Sequence, residues 1–203
     1  MTLRDADTFL ELQTQTGWGR TLAGFASWCQ AQHGWNVLDV GCGPGLLPAL
    51  FTRQGCTAVG LDVEADMFLP QPLHPQVLVA QGEKLPFPAE VFDLVTASNV
   101  LFLLADPRQL LGEMQRVTRP GGMLALLNPS EQLNQDAAAA LAEARGLQGL
   151  ARHSLLNWAQ RAEANHRWTE AEMNSLLLAA GIQPVESSLN VGPGFARFTR
   201  GRV

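Results

Sequence analysis

The sequence predicts an α/β fold with a mostly parallel sheet of seven strands. Over the first 128 residues, short apolar runs of strand length alternate five times with segments of helical periodicity. That alternation is typical of a parallel sheet with helices on both faces. Two further strand-like runs near the C-terminal end predict an antiparallel hairpin at one edge of the sheet. With a glycine-rich turn after the first strand, these observations indicate a Rossmann-like, doubly wound architecture.

The first five predicted strands are short runs rich in valine, leucine and alanine. They lie at residues 36–40, 57–62, 76–80, 91–98 and 123–128. Segments with apolar residues at helical spacing predict the helices between them. These helices lie at residues 3–33 with a break at 17-GWG-19, and at 44–54, 64–69 and 107–118. The proline-rich segment 70–75 is predicted to be a loop, and 119-RPGG-122 a turn.

The last third of the chain predicts helices and the closing hairpin. Residues 131–165 are rich in alanine and are predicted to be helical. Residues 169–180 begin with the capping-box pair Thr169 and Glu172, and they stop at Gly181, a favoured residue just beyond a helix. The final two strands are predicted at residues 182–189 and 195–200.

Length and composition predict a single domain over residues 1–203. The chain is 46% hydrophobic, which is enough for a sizeable core. We divide the domain into N-terminal helices at residues 1–34, a strand–helix core at 35–128, and a helical insertion with C-terminal strands at 129–203.

Charge and cysteine content narrow the range of functions. A net charge of −5 provides no overall positive field for nucleic acid or an anionic membrane, so we predict neither partner. The three scattered cysteines form neither a disulfide framework nor a metal-binding pattern, and we expect no bound metal and a reducing, cytoplasmic location. The N-terminal residues show no export signal, and the longest apolar run, 100-VLFLLA-105, is too short to span a membrane.

The stretch 37-VLDVGCGPG-45 predicts a strand that ends in a tight, nucleotide-binding turn. A dinucleotide fingerprint, G-x-G-x-x-G/A, needs a small residue where this chain has Leu46. The third glycine is instead Gly45, and Pro44 removes one N–H donor that a phosphate would use. The turn therefore disfavours a dinucleotide.

Asp39 favours a ligand that has an ammonium group and no phosphate. It lies two residues before the turn, where its carboxylate would repel a pyrophosphate and attract a cation. S-adenosylmethionine has an α-ammonium group and no phosphate. Asp62 ends the second strand 21 residues after Gly41, close to the spacing of about 20 expected of an acid that binds ribose hydroxyls. Dinucleotide-binding enzymes also have an acid at this spacing, so Asp62 does not discriminate between a dinucleotide and S-adenosylmethionine.

Four ordered motifs carry a resemblance to a known family. They are 37-VLDVGCGPG-45, 59-VGLDVEADM-67, 82-GEKLPFP-88 followed by 92-FDLV-95, and 113-EMQRVTRPGGMLAL-126. Over about residues 35–128 the chain resembles the class I S-adenosylmethionine-dependent methyltransferases. Within that family it looks most like the small-molecule branch that includes ubiquinone- and menaquinone-biosynthesis methyltransferases.

The resemblance implies S-adenosylmethionine as the cofactor and a contact for each of its parts. Asp39 and the glycine turn would hold the methionine half, and Asp62 would bind the ribose. Gln81 occupies a position where the family often has an aspartate, and its side-chain carbonyl can still accept from the adenine amine. The cofactor-binding residues implied in this way are Asp39, Gly41, Cys42, Gly43, Gly45, Asp62, Val63, Met67, Gln81, Gly82, Glu83, Ser98 and Asn99.

The function predicted is methyl transfer to a small-molecule acceptor by in-line displacement. Alignment of the reactants supplies most of the rate enhancement in such a reaction, so the lack of a recognisable general base is compatible with catalysis. Acceptor contacts are expected from the N-terminal helices, residues 129–168 and the loop 189–194. The candidates are Trp18, Arg20, Asn128, His153, His166 and Trp168.

Two alternative functions stay open at this point. One is a protein that binds S-adenosylmethionine without catalysing transfer, which the missing base leaves open. The other, less favoured, is an NAD(P)-dependent oxidoreductase on a similar sheet. Leu46 and Asp39 argue against this second alternative. The acceptor, the atom methylated and the choice between a monomer and a homodimer are not specified by the sequence.

Overall fold

The computed structural model describes residues 6–68 and 76–203, with side chains from residue 9 onward. The loop predicted at residues 70–75 lies outside the described residues. Within the described ranges, no helix combines the length and the apolar character that crossing a membrane requires.

One mixed sheet of seven strands organises the described part of the chain. Strands β1 to β7 are Asn36–Val40, Thr57–Asp62, Gln76–Val79, Phe92–Ser98, Thr118–Pro129, Gln183–Asn190 and Ala196–Arg202. Their order across the sheet is β3-β2-β1-β4-β5-β7-β6. β1 to β5 pair in parallel, whereas β7 pairs antiparallel with both β5 and β6. The predicted fold class, including its C-terminal antiparallel hairpin, is confirmed.

Helices lie on both faces of this sheet. Helices α1 to α7 are Ala6–Gln15, Gly17–Trp28, Leu46–Arg53, Arg108–Val117, Gln135–Ala144, Gly149–Ala164 and Glu170–Ala179. Short 3-10 turns lie at Ala65–Met67 and Leu101–Leu103. The capping box predicted from Thr169 and Glu172 is present at the start of α7.

Glycines move two helix boundaries from their predicted positions. The helix expected after the glycine turn begins only at Leu46, because Gly45 has a φ of 90°, outside the helical region. The single helical stretch expected at residues 131–165 divides into α5 and α6. Gly146 lies between them and Gly149 is the first residue of α6; their φ values of 59° and 53° interrupt a right-handed helix.

Two further boundaries also differ from the sequence prediction. The first helical stretch breaks at Thr16, where the hydroxyl accepts a hydrogen bond from the Trp18 N–H at 3.1 Å and caps α2. The turn predicted at residues 119–122 is instead part of β5. Gly121 has a φ of 78° there, and the pairing of β5 with β4 shifts register between Phe92 and Leu94. The strand therefore continues through this segment as a bulge and does not end in a turn.

Alternation along the central strands supplies the two faces of the core. Leu38 and Leu124 pack on one face, which α4 and α7 cover. Val37 and Leu94 pack on the other, which α2 and α3 cover. Helices α5 and α6 pack on each other through a separate apolar cluster. Because parallel strands run the same way, the carboxyl ends of β1, β2 and β4 meet at one edge between these layers.

Candidate active site

A cavity of about 1670 Å³ opens at the carboxyl ends of β1, β2 and β4. Open α/β sheets bind ligands at this edge. The strand ends and the glycine turn form one side of the cavity, and residues of α1, α2 and α6 form the other. A site for one small molecule encloses roughly 300–1000 Å³, so this cavity has room for two.

The glycine turn after β1 forms a close-fitting floor. Gly41, Gly43 and Gly45 all have positive φ, at 71°, 51° and 90°. The Gly41 N–H donates to the Leu61 carbonyl at 2.8 Å, which fixes the turn against the end of β2. A methyl group on Gly41 would lie 2.3 Å from Cγ2 of Val100. The turn thus requires glycine for both its conformation and its packing.

Asp39 lies buried beneath this turn, at 2% exposure. Its Oδ1 accepts a hydrogen bond from the Thr96 hydroxyl at 2.7 Å. Burial raises the pKa of Asp39 to about 7, the hydrogen bond from Thr96 opposes that rise, and the nearby charge of Asp62 adds to it. The hydrogen bond from Thr96 does not fully offset the burial of a negative charge at this position. A cationic ligand would stabilise the charged form of Asp39.

Asp62 ties the end of β2 to the glycine turn. Its Oδ2 accepts from the Gly43 N–H at 2.8 Å, and its Oδ1 accepts from the Glu64 N–H at 3.1 Å. A carboxylate offers about four acceptor sites, so two remain for hydroxyl groups of a ligand. Asp62 therefore combines a role in the shape of the turn with the capacity to bind a ribose.

Most of the residues predicted to contact the cofactor do line the cavity. They are Asp39, Gly41, Cys42, Gly43, Asp62, Val63, Met67, Gly82, Glu83, Ser98 and Asn99. Burial raises the pKa of the Cys42 thiol, so it remains neutral and packs as a small apolar group. Gly45 is buried behind the turn, and Gln81 is an exposed residue; the structure places neither at the cavity wall.

The predicted acceptor contacts separate into two groups. Trp18, Arg20 and His153 line the cavity, whereas the other three candidates lie elsewhere. Asn128 follows Leu127 along β5, and by the alternation of side chains along a strand it lies on the face of the sheet opposite to Leu127. Its side chain is only 1% exposed there.

His166 and Trp168 lie together in a separate place. Their ring centroids are 5.1 Å apart, and they line a shallow groove beside α7. Trp168 is also part of the apolar core beneath that helix. Neither side chain reaches the large cavity.

Helix α1 contributes a cavity residue that the sequence did not single out. Gln13 is only 8% exposed, lines the cavity, and has no hydrogen-bond partner for its Oε1 among the described residues. Its Nε2 lies 4.0 Å from the position of a methyl group built on Gly43, so it sits directly over the turn. A polar residue on a short amphipathic helix carries no sequence signal for such a contact, which depends on how α1 packs.

Helix α6 reaches the site through Trp158. The indole N–H donates to Oδ1 of Asn99 at 2.8 Å, and the ring packs edge-to-face on Trp18 with centroids 5.4 Å apart. Asn99 itself has a φ of 57°, in the left-handed region. The predicted contribution of residues 129–168 to the cavity wall thus comes mainly from α6.

Sequence comparisons match the core of the chain to methyltransferases. Residues 38–126 match a family model described as a methyltransferase domain. An uncharacterized methyltransferase from Mycobacterium sp. (strain KMS) is 45% identical over 101 residues, or 46% of this chain and 38% of that protein. The malonyl-[acyl-carrier protein] O-methyltransferase of Salmonella typhimurium is 37% identical over 94 residues, or 44% and 37%. The matched segments span less than half the length of these relatives.

Structural comparisons extend the likeness over nearly the whole fold. A SAM-dependent methyltransferase from Aquifex aeolicus has a TM-score of 0.61 at 20% identity, covering 94% of this chain and 91% of that chain. Magnesium protoporphyrin IX methyltransferase from Synechocystis, solved with bound SAH, has a TM-score of 0.66 at 17% identity, covering 96% and 87%. At such identities the likeness concerns the fold alone. The sequence matches identify a methyltransferase domain at residues 38–126, and the fold is that of the class I, S-adenosylmethionine-dependent methyltransferases.

Proposed function

We propose that this protein transfers a methyl group from S-adenosylmethionine to a small-molecule acceptor. The observation that carries the proposal is the buried carboxylate of Asp39 beneath a glycine turn that suits no pyrophosphate. A ligand with an ammonium group at this position would compensate the charge that burial destabilises. The specific likeness to the quinone-biosynthesis branch remains a prediction.

The residues at the cavity fit the parts of the cofactor. Asp39 and the unpartnered Oε1 of Gln13 would accept from the α-ammonium group. Asp62 has acceptor sites left for the ribose hydroxyls. Val63 and Met67, which line the cavity beside it, would cover the adenine. The adenine contact proposed for Gln81 has weaker support, because that side chain is exposed and lies outside the cavity wall.

When bound, S-adenosylmethionine supplies a methyl carbon that its sulfonium already activates. The protein's own task is then to align an acceptor with that carbon and to exclude water. Trp18 and Trp158 form an apolar wall beside the end of β4, and the hydrogen bond from Trp158 holds Asn99 in place. An acceptor that loses its proton readily needs no general base from the protein.

Calorimetric titration with S-adenosylmethionine, S-adenosylhomocysteine and NADH tests the cofactor assignment. We expect micromolar binding of the first two and no binding of NADH, because Leu46 fills the space of the third fingerprint glycine. Binding of NADH alone would favour the oxidoreductase. Release of S-adenosylhomocysteine from labelled cofactor in the presence of a cell extract then separates an enzyme from a non-catalytic binder.

The Asp62→Ala variant should weaken S-adenosylhomocysteine binding by about 1–3 kcal/mol, because ribose hydroxyls would be left without an acceptor in a partly buried site. The Gly43 N–H also loses its partner, so thermal stability should fall as well. Calorimetry and a melting curve measure the two effects. Asp66→Ala is the matched control, since Asp66 is an exposed acid in the 3-10 turn that follows β2. Equal affinity of the Asp62 variant and wild type would contradict the site assignment.

A further inference from the structure

We infer that the methyl acceptor carries an anionic group, a carboxylate or a phosphate, on an apolar body. The inference rests on the proposed function and concerns the half of the cavity that the cofactor would leave free. It comes from the distribution of charge around the cavity wall.

Acidic and basic side chains occupy opposite sides of the cavity. Among the described residues that line it, the acids are at or just after the ends of β1, β2 and β3: Asp39, Asp62, Glu64 and Glu83. The basic side chains all come from α2, α6 and the residue that ends α5: Arg20, Arg145, His153 and Arg161. In a protein with a net charge of −5, three arginines on one wall form a local positive field.

Two of these arginines are not neutralised by the protein. In the described part of the chain, the side chains of Arg20 and Arg145 have no carboxylate partner and no hydrogen bond, whereas Arg108, Arg116 and Arg197 each pair with an acid. An arginine presents a planar fork that matches a carboxylate or phosphate in two parallel hydrogen bonds. The cavity therefore offers free anion-binding groups on its helical side.

The cofactor does not account for this positive charge. S-adenosylmethionine has a single carboxylate, which one arginine can bind, and its ammonium group belongs with Asp39 on the opposite side. If one of Arg20 and Arg145 binds that carboxylate, the other still lacks a counter-charge once the cofactor is bound. An acceptor with its own negative charge would compensate it.

Apolar side chains also line the helical side of the cavity. Leu141, Leu147 and Leu155 line the same half of the cavity as Arg145, and Trp18 and Trp158 lie toward the strand ends. These side chains would contact a hydrocarbon or ring portion of the acceptor. The anionic group would then be bound at one end, and the apolar body would lie against the leucines and tryptophans.

Matched eight-carbon probes test the inference. Protein saturated with S-adenosylhomocysteine is titrated with octanoate, octyl phosphate and octanamide, and binding is followed by calorimetry. We expect the anions to bind at least about tenfold more tightly than octanamide, the equivalent of one charge-assisted hydrogen bond. The anion that binds more tightly identifies the group as carboxylate or phosphate.

The Arg145→Gln variant keeps a polar side chain at that position and removes the charge. It should reduce the preference for the anions by roughly three- to tenfold, while S-adenosylhomocysteine binding shows that the protein is folded. Arg152→Gln is the matched control, because Arg152 is an exposed arginine of α6 that does not line the cavity. It should keep the wild-type preference.

The outcomes separate this inference from the proposed function. Failure of the wild type to bind S-adenosylhomocysteine would contradict the proposed function itself. If the cofactor product binds, the inference is overturned by octanamide binding as tightly as octanoate, by the absence of saturable anion binding, or by an unchanged preference in Arg145→Gln.

Discussion

Replacing Asp39 by asparagine is expected to weaken S-adenosylhomocysteine binding by about 2–5 kcal/mol, the range for removing one partner of a buried charged pair. The same change should stabilise the ligand-free protein at pH 8. Burial raises the pKa of Asp39 to about 7, from an ordinary value of 3.8. A displacement of that size corresponds to at most roughly 4 kcal/mol of stability.

The sign of the effect follows from the direction of the pKa change. At low pH the carboxyl is neutral in both the folded and the unfolded chain, and the stability contributed by the raised pKa is complete. As pH rises from 3.8 to about 7, the unfolded chain loses this proton while the folded protein keeps it, so that stability falls and is gone once pH passes about 7. Asparagine keeps an oxygen that can accept from the Thr96 hydroxyl and carries no charge at any pH.

Denaturant unfolding at pH 5 and pH 8 measures the stability effect, and calorimetry with S-adenosylhomocysteine measures the loss of affinity. Wild-type affinity should also rise from pH 6 to pH 8, because the ammonium group binds the ionised carboxylate, while the variant's affinity should not change with pH. Asp66→Asn provides a control with an exposed acid from the same side of the sheet. A variant that binds the ligand as well as wild type would show that Asp39 does not face the ammonium group.

Replacing Gly41 by alanine is expected to abolish cofactor binding and to destabilise the fold by about 2–5 kcal/mol. Two causes add: a left-handed conformation costs an L-residue roughly 1–2 kcal/mol, and overpacking costs roughly 1–3 kcal/mol. The overpacking arises because the new methyl group would lie 2.3 Å from Cγ2 of Val100. Val100 is β-branched, so few alternative rotamers of its side chain would avoid the new methyl group.

Two variants separate these causes. Gly34 also has positive φ, at 84°, but a methyl group there would meet nothing within 4 Å. Gly34→Ala should therefore show only the conformational cost and retain cofactor binding. The double variant Gly41→Ala, Val100→Ala should recover part of the stability lost by Gly41→Ala alone. If Gly34→Ala and Gly41→Ala are equally destabilised, the close contact with Val100 is not the reason that glycine is required.

The sheet could be predicted because each of its strands has a local signal. The central strands are mostly apolar runs, since both of their faces are buried, and Gly41 after β1 and Asp62 at the end of β2 mark where those two strands stop. The helical insertion was harder to predict, because an alanine-rich composition favours a helix throughout. Only the backbone conformations of Gly146 and Gly149 show where α5 ends and α6 begins.

The strand-end side of the cavity was predictable for a similar reason. Asp39, Asp62 and the glycines lie at strand ends, and the sheet topology brings strand ends together. No such rule applies to the helical side of the cavity, where Gln13 reaches the glycine turn only through the packing of α1. Asn128 was predicted at the cavity, but the alternation along β5 places it on the face of the sheet opposite to Leu127. Contacts set by tertiary packing leave little trace in the order of residues.

The hydrogen bond from Trp158 to Asn99 has a consequence for thermodynamic linkage between the two ligands. Asn99 belongs to the strand end that would adjoin the cofactor, and Trp158 belongs to the helix that would adjoin the acceptor. A cofactor that shifts Asn99 must therefore shift the indole on which the acceptor's apolar body would rest. Such coupling is reciprocal: the factor by which the cofactor changes the acceptor's affinity is the factor by which the acceptor changes the cofactor's. A single hydrogen bond between core and insertion would thus make the two affinities interdependent.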